Sequence, residues 1–308
     1  MLLLHDPQCA GYGSAMRPEQ PARVTRTAAH LRETHPAWTW RVPDAALATD
    51  AALLRAHTPA HLARLAQPRD FDSDTPYFPD IADHARRAVA AALEAAQHAL
   101  KHRTPVFSLM RPPGHHATAG TAMGFCYLNQ IAIAALHARH ALSARRVAVW
   151  DIDAHHGNGT EAILHAATSA ARGPDAGTLL FTSVHQYPGY PGTGTQDLGP
   201  LTRNWPVAPR SPRPLHMDAL RAALDAVVAF APDLILVSAG FDAYARDPIT
   251  AMTLERDDFA TLGRWLAELR ARHAIPAAAL LEGGYSGDLP LLVEAFLAAW
   301  DNPAANPR

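Results

Sequence analysis

Two apolar runs of this sequence are each followed by residue types that commonly bind metal ions in proteins. Asp153 and His155 come just after the run that ends at Ile152, and Asp242 follows the run that ends at Ala239. Carboxylate and imidazole groups suit a borderline cation such as Zn²⁺, and three protein ligands leave one position open for water or substrate. The spacing therefore predicts a catalytic metal site. Taken alone, Asp153 and His155 also fit a helix-capping aspartate and a solvated histidine.

A tandem pair of histidines, His115 and His116, follows the rigid sequence Arg-Pro-Pro-Gly. Adjacent loop histidines can both face a substrate while a different partner orients each ring, and Asp151 and Asn158 are candidate partners. A carboxylate partner raises the basicity of an imidazole, whereas an amide orients it without adding charge. The pair therefore predicts two different protonation roles. A chain with 18 histidines also produces surface pairs by chance.

Three aromatic residues stand beside glycine or proline. Tyr285 follows two glycines, and its hydroxyl group is a candidate donor to an oxyanion that develops opposite the metal. Phe125 and Tyr190 are candidate walls of a narrow apolar channel. Each of the three, taken alone, is also typical of ordinary core or surface packing.

The elements that would position these residues alternate along the chain. Apolar runs predict strands, and alanine-rich stretches with apolar residues at spacings of three and four predict helices. The predicted strands are 106–109, 146–153, 178–185, 233–239 and 277–282, and the predicted helices are 83–101, 129–141, 215–230, 256–273 and 289–300. Strands that are apolar on both faces and separated by helices are typical of a parallel sheet covered on both sides.

Ligands bind beyond the carboxyl ends of the strands in open sheets of this kind. Because the histidine pair, the aspartates and Tyr285 all follow predicted strands, we expect them to converge on one edge of the sheet. The proline- and glycine-rich stretch 187–214 is predicted to be a functional loop region rather than a domain boundary. With no linker and no internal repeat, residues 1–308 are predicted to form a single catalytic domain.

Composition argues against several classes of function. The formal charge of −2 gives no long-range attraction to nucleic acid or to an anionic membrane. Two separate cysteines, Cys9 and Cys126, do not make the disulfide scaffold of a small secreted domain. The opening apolar run is too short for a signal peptide, and no apolar run reaches the roughly 18 residues of a membrane span. The sequence therefore predicts a soluble, cytoplasmic protein with no nucleic-acid or membrane partner.

Other kinds of active site fit less well. A dinuclear hydrolase of the arginase type carries a second carboxylate two residues after the histidine ligand, where this chain has Gly157, so the sequence favours one metal ion. No Gly-x-Ser-x-Gly is present, and Cys126 has no base at a suitable spacing. The phosphate-binding sequence Gly-x-x-x-x-Gly-Lys is also missing.

Five motifs, in order, resemble those of the zinc-dependent histone deacetylase family, in its class II-like branch of bacterial histone deacetylase-like amidohydrolases and acetylpolyamine amidohydrolases. They are Arg-Pro-Pro-Gly-His-His-Ala at 111–117, Gly-Phe-Cys-Tyr-Leu-Asn at 124–129, Asp-Ile-Asp-Ala-His-His-Gly-Asn-Gly-Thr at 151–160, Ser-Ala-Gly-Phe-Asp at 238–242 and Glu-Gly-Gly-Tyr at 282–285. The resemblance runs from Arg17 onward. It implies a single-domain α/β fold of the arginase/deacetylase type, with an eight-stranded parallel sheet flanked by helices.

The resemblance implies metal-assisted hydrolysis of an N-acyl amine to a carboxylate and a free amine. Asp153, His155 and Asp242 would bind one Zn²⁺ per chain. A K⁺ site is also implied, with ligands from Asp151, Asp153, His155, Ser183 and Val184.

The catalytic roles implied by the resemblance fall on five residues. His116 would be the general base and then the acid that protonates the leaving amine. His115, paired with Asp151, would supply electrostatic stabilisation, and Asn158 would orient the other histidine. Tyr285 would donate a hydrogen bond to the tetrahedral oxyanion.

The resemblance also assigns substrate-binding residues. Gly124, Phe125 and Tyr190 would line the acyl-lysine tunnel, with Tyr190 at a position that is usually phenylalanine. Asp74 aligns best with an aspartate at the rim that holds the backbone of a peptide substrate, and Asp72 is the second choice.

Two departures from the family pattern bear on the substrate. Arg17 replaces the histidine of a common His-Pro-Glu sequence, outside the predicted metal site. Ile249 stands near the place where polyamine-selective members carry a glutamate, and an isoleucine cannot pair with a secondary ammonium group. We therefore expect a deacetylase or deacylase of lysine ε-amines in proteins and peptides. The alternatives are hydrolysis of acetylpolyamines or another small N-acyl amine, and a catalytically silent acyl-lysine binding module. The sequence leaves the oligomeric state open.

Overall fold

In a computed structural model, which describes residues 1–142, 144–171, 173 and 177–302, eight strands form one sheet. In chain order the strands are β1 (Leu2–Leu4), β2 (Thr39–Arg41), β3 (Val106–Ser108), β4 (Val147–Asp151), β5 (Leu179–Gln186), β6 (Thr202–Val207), β7 (Leu234–Ala239) and β8 (Ala277–Leu281). They lie in the order β2-β1-β3-β8-β7-β4-β5-β6, and every neighbouring pair is parallel. The predicted eight-stranded parallel sheet is therefore confirmed.

Every residue of β4, β7 and β8 is buried, which shows that helices and loops cover both faces of the central sheet. The α-helices are α1 (Ala22–Thr34), α2 (Asp50–Leu53), α3 (Pro59–Leu65), α4 (Ile81–His102), α5 (Gln130–Ala141), α6 (Asn158–Ala170), α7 (Arg213–Phe230), α8 (Arg256–His273) and α9 (Leu289–Asp301), with short 3₁₀ helices at Pro7–Ala10 and Ala45–Leu47. Within the described residues, no helix combines the length and apolar character that a membrane crossing requires.

All ten predicted strands and helices are present, with ends within two residues of those expected. The prediction for 187–214 needs correction, because this stretch contains β6 and the first residues of α7. In β6, Arg203 and Trp205 are only half-buried and Pro206 is exposed, so the strand has no continuous apolar run. Its position at the end of the sheet explains why a proline is tolerated there.

A buried ion pair between Glu19 and Arg111 ties the segment before α1 to the loop after β3. Arg111 Nε lies 2.5 Å from Glu19 Oε1 and Nη2 lies 2.6 Å from Oε2, so two parallel hydrogen bonds join the groups. Burial by itself would raise the pKa of Glu19, but the charges and hydrogen bonds of Arg111 and Arg23 lower it below its usual value. Glu19 therefore carries its negative charge inside the protein.

Arg111→Met is expected to destabilise the fold by about 3–5 kcal/mol, because the buried Glu19 carboxylate then loses its main cationic partner. Arg221→Met, which breaks an exposed pair with Asp225, should cost less than about 1 kcal/mol. Urea denaturation of both variants measures the difference. The double variant Glu19→Met/Arg111→Met should recover part of the loss, and equal costs at the two arginines would contradict this account.

A second prediction concerns pH and His216 of α7, whose buried ring has no hydrogen-bond partner among the described residues. Burial lowers the pKa of His216 from 6.5 to about 4. As pH falls, the unfolded chain binds a proton first, so the stability from the neutral ring is present above pH 6.5 and is lost towards pH 4. His216→Leu should therefore gain stability relative to wild type between about pH 7.5 and about pH 5. Thermal unfolding at both pH values tests this, and a difference that does not change with pH would disprove it.

Candidate active site

The carboxyl ends of the central strands meet at one edge of the sheet. The register places Asp151, the last residue of β4, level with Ser183 of β5 and Ser238 of β7. Because all the strands are parallel, the loops after β3, β4, β7 and β8 leave on the same side. These loops carry His115 and His116, then Asp153 and His155, then Asp242, and then Tyr285.

The structure brings Asp153, His155 and Asp242 together, with one possible ligand atom of each within 4.8 Å of the other two. His155 Nδ1 lies 2.8 Å from Asp242 Oδ2 and 3.2 Å from Asp153 Oδ1. Backbone groups hold the other oxygens: Gly283 N–H donates to Asp153 Oδ2 at 2.7 Å, and Ala154 N–H donates to Asp242 Oδ1 at 2.8 Å. Each aspartate therefore directs one oxygen towards the His155 ring.

These three residues fit a zinc ion. Both carboxylates are fully buried, and within the described chain neither forms an ion pair with arginine or lysine. Burial raises the pKa of Asp242 and the charge of Asp153 raises it further, whereas the facing His155 ring lowers it, so the two clustered carboxylates favour a cation beside them. Gly283 leaves the space open, because a Cβ there would collide with an oxygen of each carboxylate. Two carboxylates and one imidazole are a donor set that suits Zn²⁺.

The two tandem histidines have different partners. His115 Nδ1 lies 3.1 Å from Asp151 Oδ2, and His116 Nδ1 lies 2.8 Å from Asn158 Oδ1. Burial by itself would lower the pKa of His115, but the carboxylates of Asp153 and Asp151 raise it to about 10. Burial, and then the charges of His115 and His155, lower the pKa of His116 well below 6.5. The first ring is therefore a cation and the second is neutral.

The hydrogen bonds of Asn158 also determine which nitrogen of His116 carries the proton. The Asn158 amide nitrogen donates to Met123 Sδ at 3.5 Å, so Oδ1 is the atom that faces the histidine and accepts from Nδ1–H. A neutral imidazole with its proton on Nδ1 has a free lone pair on Nε2. This nitrogen can accept a proton.

Gly157 occupies the position at which a dinuclear site would place its second carboxylate. A Cβ at this position would collide with Asp151 Oδ2 and would lie 3.3 Å from His115 Nδ1. The space that a second metal ligand would need is therefore filled by the pair of Asp151 and His115.

Tyr285 is fixed through its backbone and its ring. Arg23 of α1 donates from Nε to the carbonyl oxygen of Gly284 at 2.7 Å and from Nη2 to that of Glu282, and its guanidinium lies 4.7 Å from the Tyr285 ring centre. Tyr285 N–H donates to Asp247 Oδ2 at 2.7 Å. Burial raises the pKa of Tyr285 well above 10, so the phenol keeps its proton and can donate.

Glu282 links the loop of Tyr285 to the loop of the two histidines. Its Oε2 accepts from Gly114 N–H at 2.6 Å and from His115 N–H at 3.2 Å. The motif that contains Glu282 is visible in the sequence, but this role is not. The roles of Arg23 and Asp247 were also not predicted from the sequence. For Arg23 a local signal exists, because its spacing of four residues from Glu19 is typical of an ion pair.

One cavity of 280 Å³ opens onto these side chains. It is lined by Arg17, Pro18, Asp74, His116, Gly124, Phe125, His155, Tyr190, Ile249 and Tyr285. His116 is 4% exposed, whereas Tyr190 and Ile249 are 40% and 37% exposed, so His116 lies at the bottom and the other two near the mouth. All five residues predicted to bind substrate lie on this cavity. A larger cleft of 790 Å³ lies at the opposite edge of the sheet, beside the residues that precede β7 and β8.

The turn at the mouth distinguishes Asp74 from Asp72. The Asp72 carboxylate accepts from Asp74 N–H at 2.9 Å and from Thr75 N–H at 2.6 Å, so it is used inside the turn. Asp74 is exposed and lines the cavity, and Asp72 does not line it.

The residues of the predicted K⁺ site include or adjoin the candidate zinc ligands Asp153 and His155. Asp151 and Ser183 are neighbours across β4 and β5, and Val184 follows in β5, all fully buried. Ser183 Oγ lies 2.9 Å from His185 Nδ1. K⁺ binding at this place stays a prediction.

Known proteins match this chain over most of its length. A family model described as the histone deacetylase domain matches residues 17–299. An uncharacterized protein of Synechocystis is 38% identical over 292 residues, 91% of each chain. A histone deacetylase-like amidohydrolase of Pseudomonas aeruginosa is 37% identical over 78% of this chain and 64% of its own length. The crystal structure of an acetylpolyamine aminohydrolase from Burkholderia pseudomallei aligns with a TM-score of 0.80 at 26% identity, over 98% of this chain and 99% of that one.

The matched region contains all five motifs and seven of the eight strands, since β1 alone precedes residue 17. The resemblance drawn from the motifs is therefore confirmed, and it identifies the chain as a deacetylase-type hydrolase. The protein belongs to the histone deacetylase family.

Proposed function

We propose that this protein is a zinc-dependent lysine deacetylase or deacylase, which hydrolyses the acyl amide on lysine ε-amines of proteins and peptides. The observation that carries the proposal is that His116 and Tyr285 line one cavity together with the aromatic rings of Phe125 and Tyr190, beside a zinc-type donor set. Asp153, His155 and Asp242 would hold one Zn²⁺. When bound, the ion would polarise the scissile carbonyl group and acidify a water molecule.

His116 acts as the general base and then as the general acid. Its free Nε2 takes a proton from the attacking water and passes it to the departing lysine amine. The Asn158 oxygen keeps the proton of the ring on Nδ1. His115 stays cationic beside Asp151 and stabilises the negative charge that develops as the carbonyl group is attacked.

Tyr285 donates its hydroxyl proton as a hydrogen bond to the developing oxyanion. Arg23 donates to the Gly284 carbonyl oxygen and Asp247 accepts from the Tyr285 N–H, so the loop is held before the substrate arrives and little reorganisation is needed during the reaction. Donors that are already oriented stabilise a transition state more than flexible donors do.

The walls of the cavity support a lysine side chain as the substrate arm. Phe125 and Tyr190 offer apolar faces to an alkyl chain, and the Phe125 ring contacts Tyr285 with ring centres 5.6 Å apart. Ile249 near the mouth offers no charge to a second ammonium group, which argues against a polyamine. Asp74 accepts a hydrogen bond from the backbone of the substrate, a role supported by its position on the lining of the cavity. Binding of K⁺ near Asp151 is part of the proposal and is not needed for these steps.

Tyr285→Phe should lower kcat for an acetyl-lysine peptide by about 10²–10³-fold, because the oxyanion loses a donor. KM and the zinc content of the protein should change little. Tyr190→Phe is the matched control, since it removes a hydroxyl group from the wall of the same cavity and should leave kcat within about twofold. Steady-state kinetics and metal analysis test both variants. Equal effects of the two substitutions would remove Tyr285 from the mechanism.

Substrate preference gives a separate test. On zinc-loaded protein, kcat/KM for an acetyl-lysine peptide should exceed the values for acetylputrescine and acetylspermidine, and a chelator should abolish all turnover. Ile249→Glu should raise kcat/KM for acetylspermidine by up to about fivefold, because an exposed ion pair contributes up to about 1 kcal/mol. Ile249→Leu is the control and should have no such effect. A wild-type preference for acetylpolyamines would instead favour the alternative substrate class.

A further inference from the structure

The mouth of the cavity carries two side chains of opposite charge. Arg17 comes from the segment before α1 and is half-buried, and Asp74 comes from the turn before α4 and is exposed. The bottom of the cavity is formed by His116, His155 and Tyr285. A ligand that reaches the bottom with its acyl group therefore has its other end at a mouth that carries both Arg17 and Asp74.

Arg17 is held in place without being neutralised. Its Nη1 donates to the carbonyl oxygen of Ser73 at 3.2 Å, next to Asp74 in the chain. Within the described residues, no carboxylate lies within 4.0 Å of the guanidinium, and no cation lies within that distance of the Asp74 carboxylate. The hydrogen bond to Ser73 uses one of five N–H groups, so a pair of parallel donors is available to a ligand.

The other arginines near the site are already engaged. Arg111 makes two hydrogen bonds with Glu19, and Arg23 reaches Glu19 and two backbone carbonyl groups. Both are buried. Arg17 differs from them, because it lines the cavity and has its charge free for a ligand.

We propose that Arg17 binds the α-carboxylate of the substrate while Asp74 accepts from its α-nitrogen, so that the preferred substrate is an Nε-acyl-lysine with a free α-carboxylate. This inference rests on the proposed function and narrows its substrate class. A lysine whose side chain enters the cavity presents both α-groups at the mouth, where a guanidinium fork matches a carboxylate geometrically. The substrate is then the free amino acid or the last residue of a peptide.

Other N-acyl amines are expected to bind Arg17 and Asp74 more weakly than an Nε-acyl-lysine with a free α-carboxylate. An acylated diamine has no carboxylate for Arg17, and a longer polyamine brings a further cation that Asp74 attracts and Arg17 repels. An acyl-lysine inside a peptide chain offers an amide carbonyl group in place of the carboxylate, which forms a weaker hydrogen bond with a guanidinium.

Three ligands with the same acetylated side chain isolate the α-carboxylate: Nε-acetyl-lysine, its α-amide, and N-acetylcadaverine, which lacks the carboxyl carbon. Dissociation constants are measured by calorimetry on the full-length, zinc-loaded Tyr285→Phe protein, in which turnover is slow. Nε-acetyl-lysine should bind the tightest. Adding Arg17→Gln should weaken its binding by about tenfold and leave the other two within about twofold. Arg17→Lys should restore part of the loss, since it keeps the charge but not the fork.

Kinetics on the protein with Tyr285 intact provide the second readout. Arg17→Gln should raise KM for Nε-acetyl-lysine and leave kcat unchanged, because the contact is the same in the ground state and the transition state. Arg272→Gln, at an exposed position in α8, is the matched control and should change neither constant.

The inference is overturned if the acid and its amide bind equally, if neither binds, or if Arg17→Gln weakens all three ligands alike. The last result would mean that Arg17 only supports the turn at Ser73. Failure of the proposed function looks different: zinc-loaded wild type would then hydrolyse none of the three ligands and no acetyl-lysine peptide. The calorimetric series would still decide whether Arg17 recognises the carboxylate.

Discussion

Buried negative charge is the constraint on which the rest of this structure depends. Asp151, Asp153, Asp242 and Glu282 are all fully buried at one edge of the sheet. Carboxylates removed from water must be compensated by hydrogen bonds or opposite charge, or they become neutral. The pKa of Glu282 is raised to about 7, with burial as the largest cause, so the charge of His115 and the hydrogen bond from Gly114 compensate the burial only in part.

The compensation comes from neighbouring loops, and this joins the loops to one another. Gly283 after β8 donates to Asp153 after β4, and Ala154 after β4 donates to Asp242 after β7. Glu282 accepts from two N–H groups of the histidine loop after β3. The same bonds that satisfy the carboxylates therefore hold four loops in fixed positions. The candidate metal site and the rigid arrangement of the loops therefore depend on one set of contacts.

The pair of histidines shows how a shared environment can give neighbouring groups different charges. The ring centres of His115 and His116 are 4.0 Å apart, yet one ring is cationic and the other neutral. The aspartate partner favours the charged form of the first, and this charge then disfavours a proton on the second. Two adjacent positions of one loop thus carry a positive charge and a neutral ring with a nitrogen that can accept a proton.

The parts of the fold that could be predicted are those with strong local patterns. Strands β4, β7 and β8 are apolar on both faces, and α4 repeats its apolar residues over 22 positions, so both kinds of element stand out in the sequence. Strands β1 and β2 were not predicted, and in β2 two of the three residues are exposed, so the sequence shows no apolar run there. The candidate site was predictable where side chains directly follow strands. Contacts such as that of Arg23 with Gly284 join positions 261 residues apart, and no local spacing reveals them.

The separation between the bottom and the mouth of the cavity affects how the substrate selectivity of such a protein can evolve. The groups assigned to bond cleavage belong to loops that are fastened to each other by buried carboxylates. Arg17 and Asp74 belong to two other segments, and Ile249, although it lies in the loop after β7, takes no part in that fastening through its side chain. Side-chain substitutions at these three mouth positions can therefore be tolerated without disturbing the chemistry below. Selectivity and reactivity are free to diverge independently, and one hydrolytic centre can acquire new substrates through changes to its entrance.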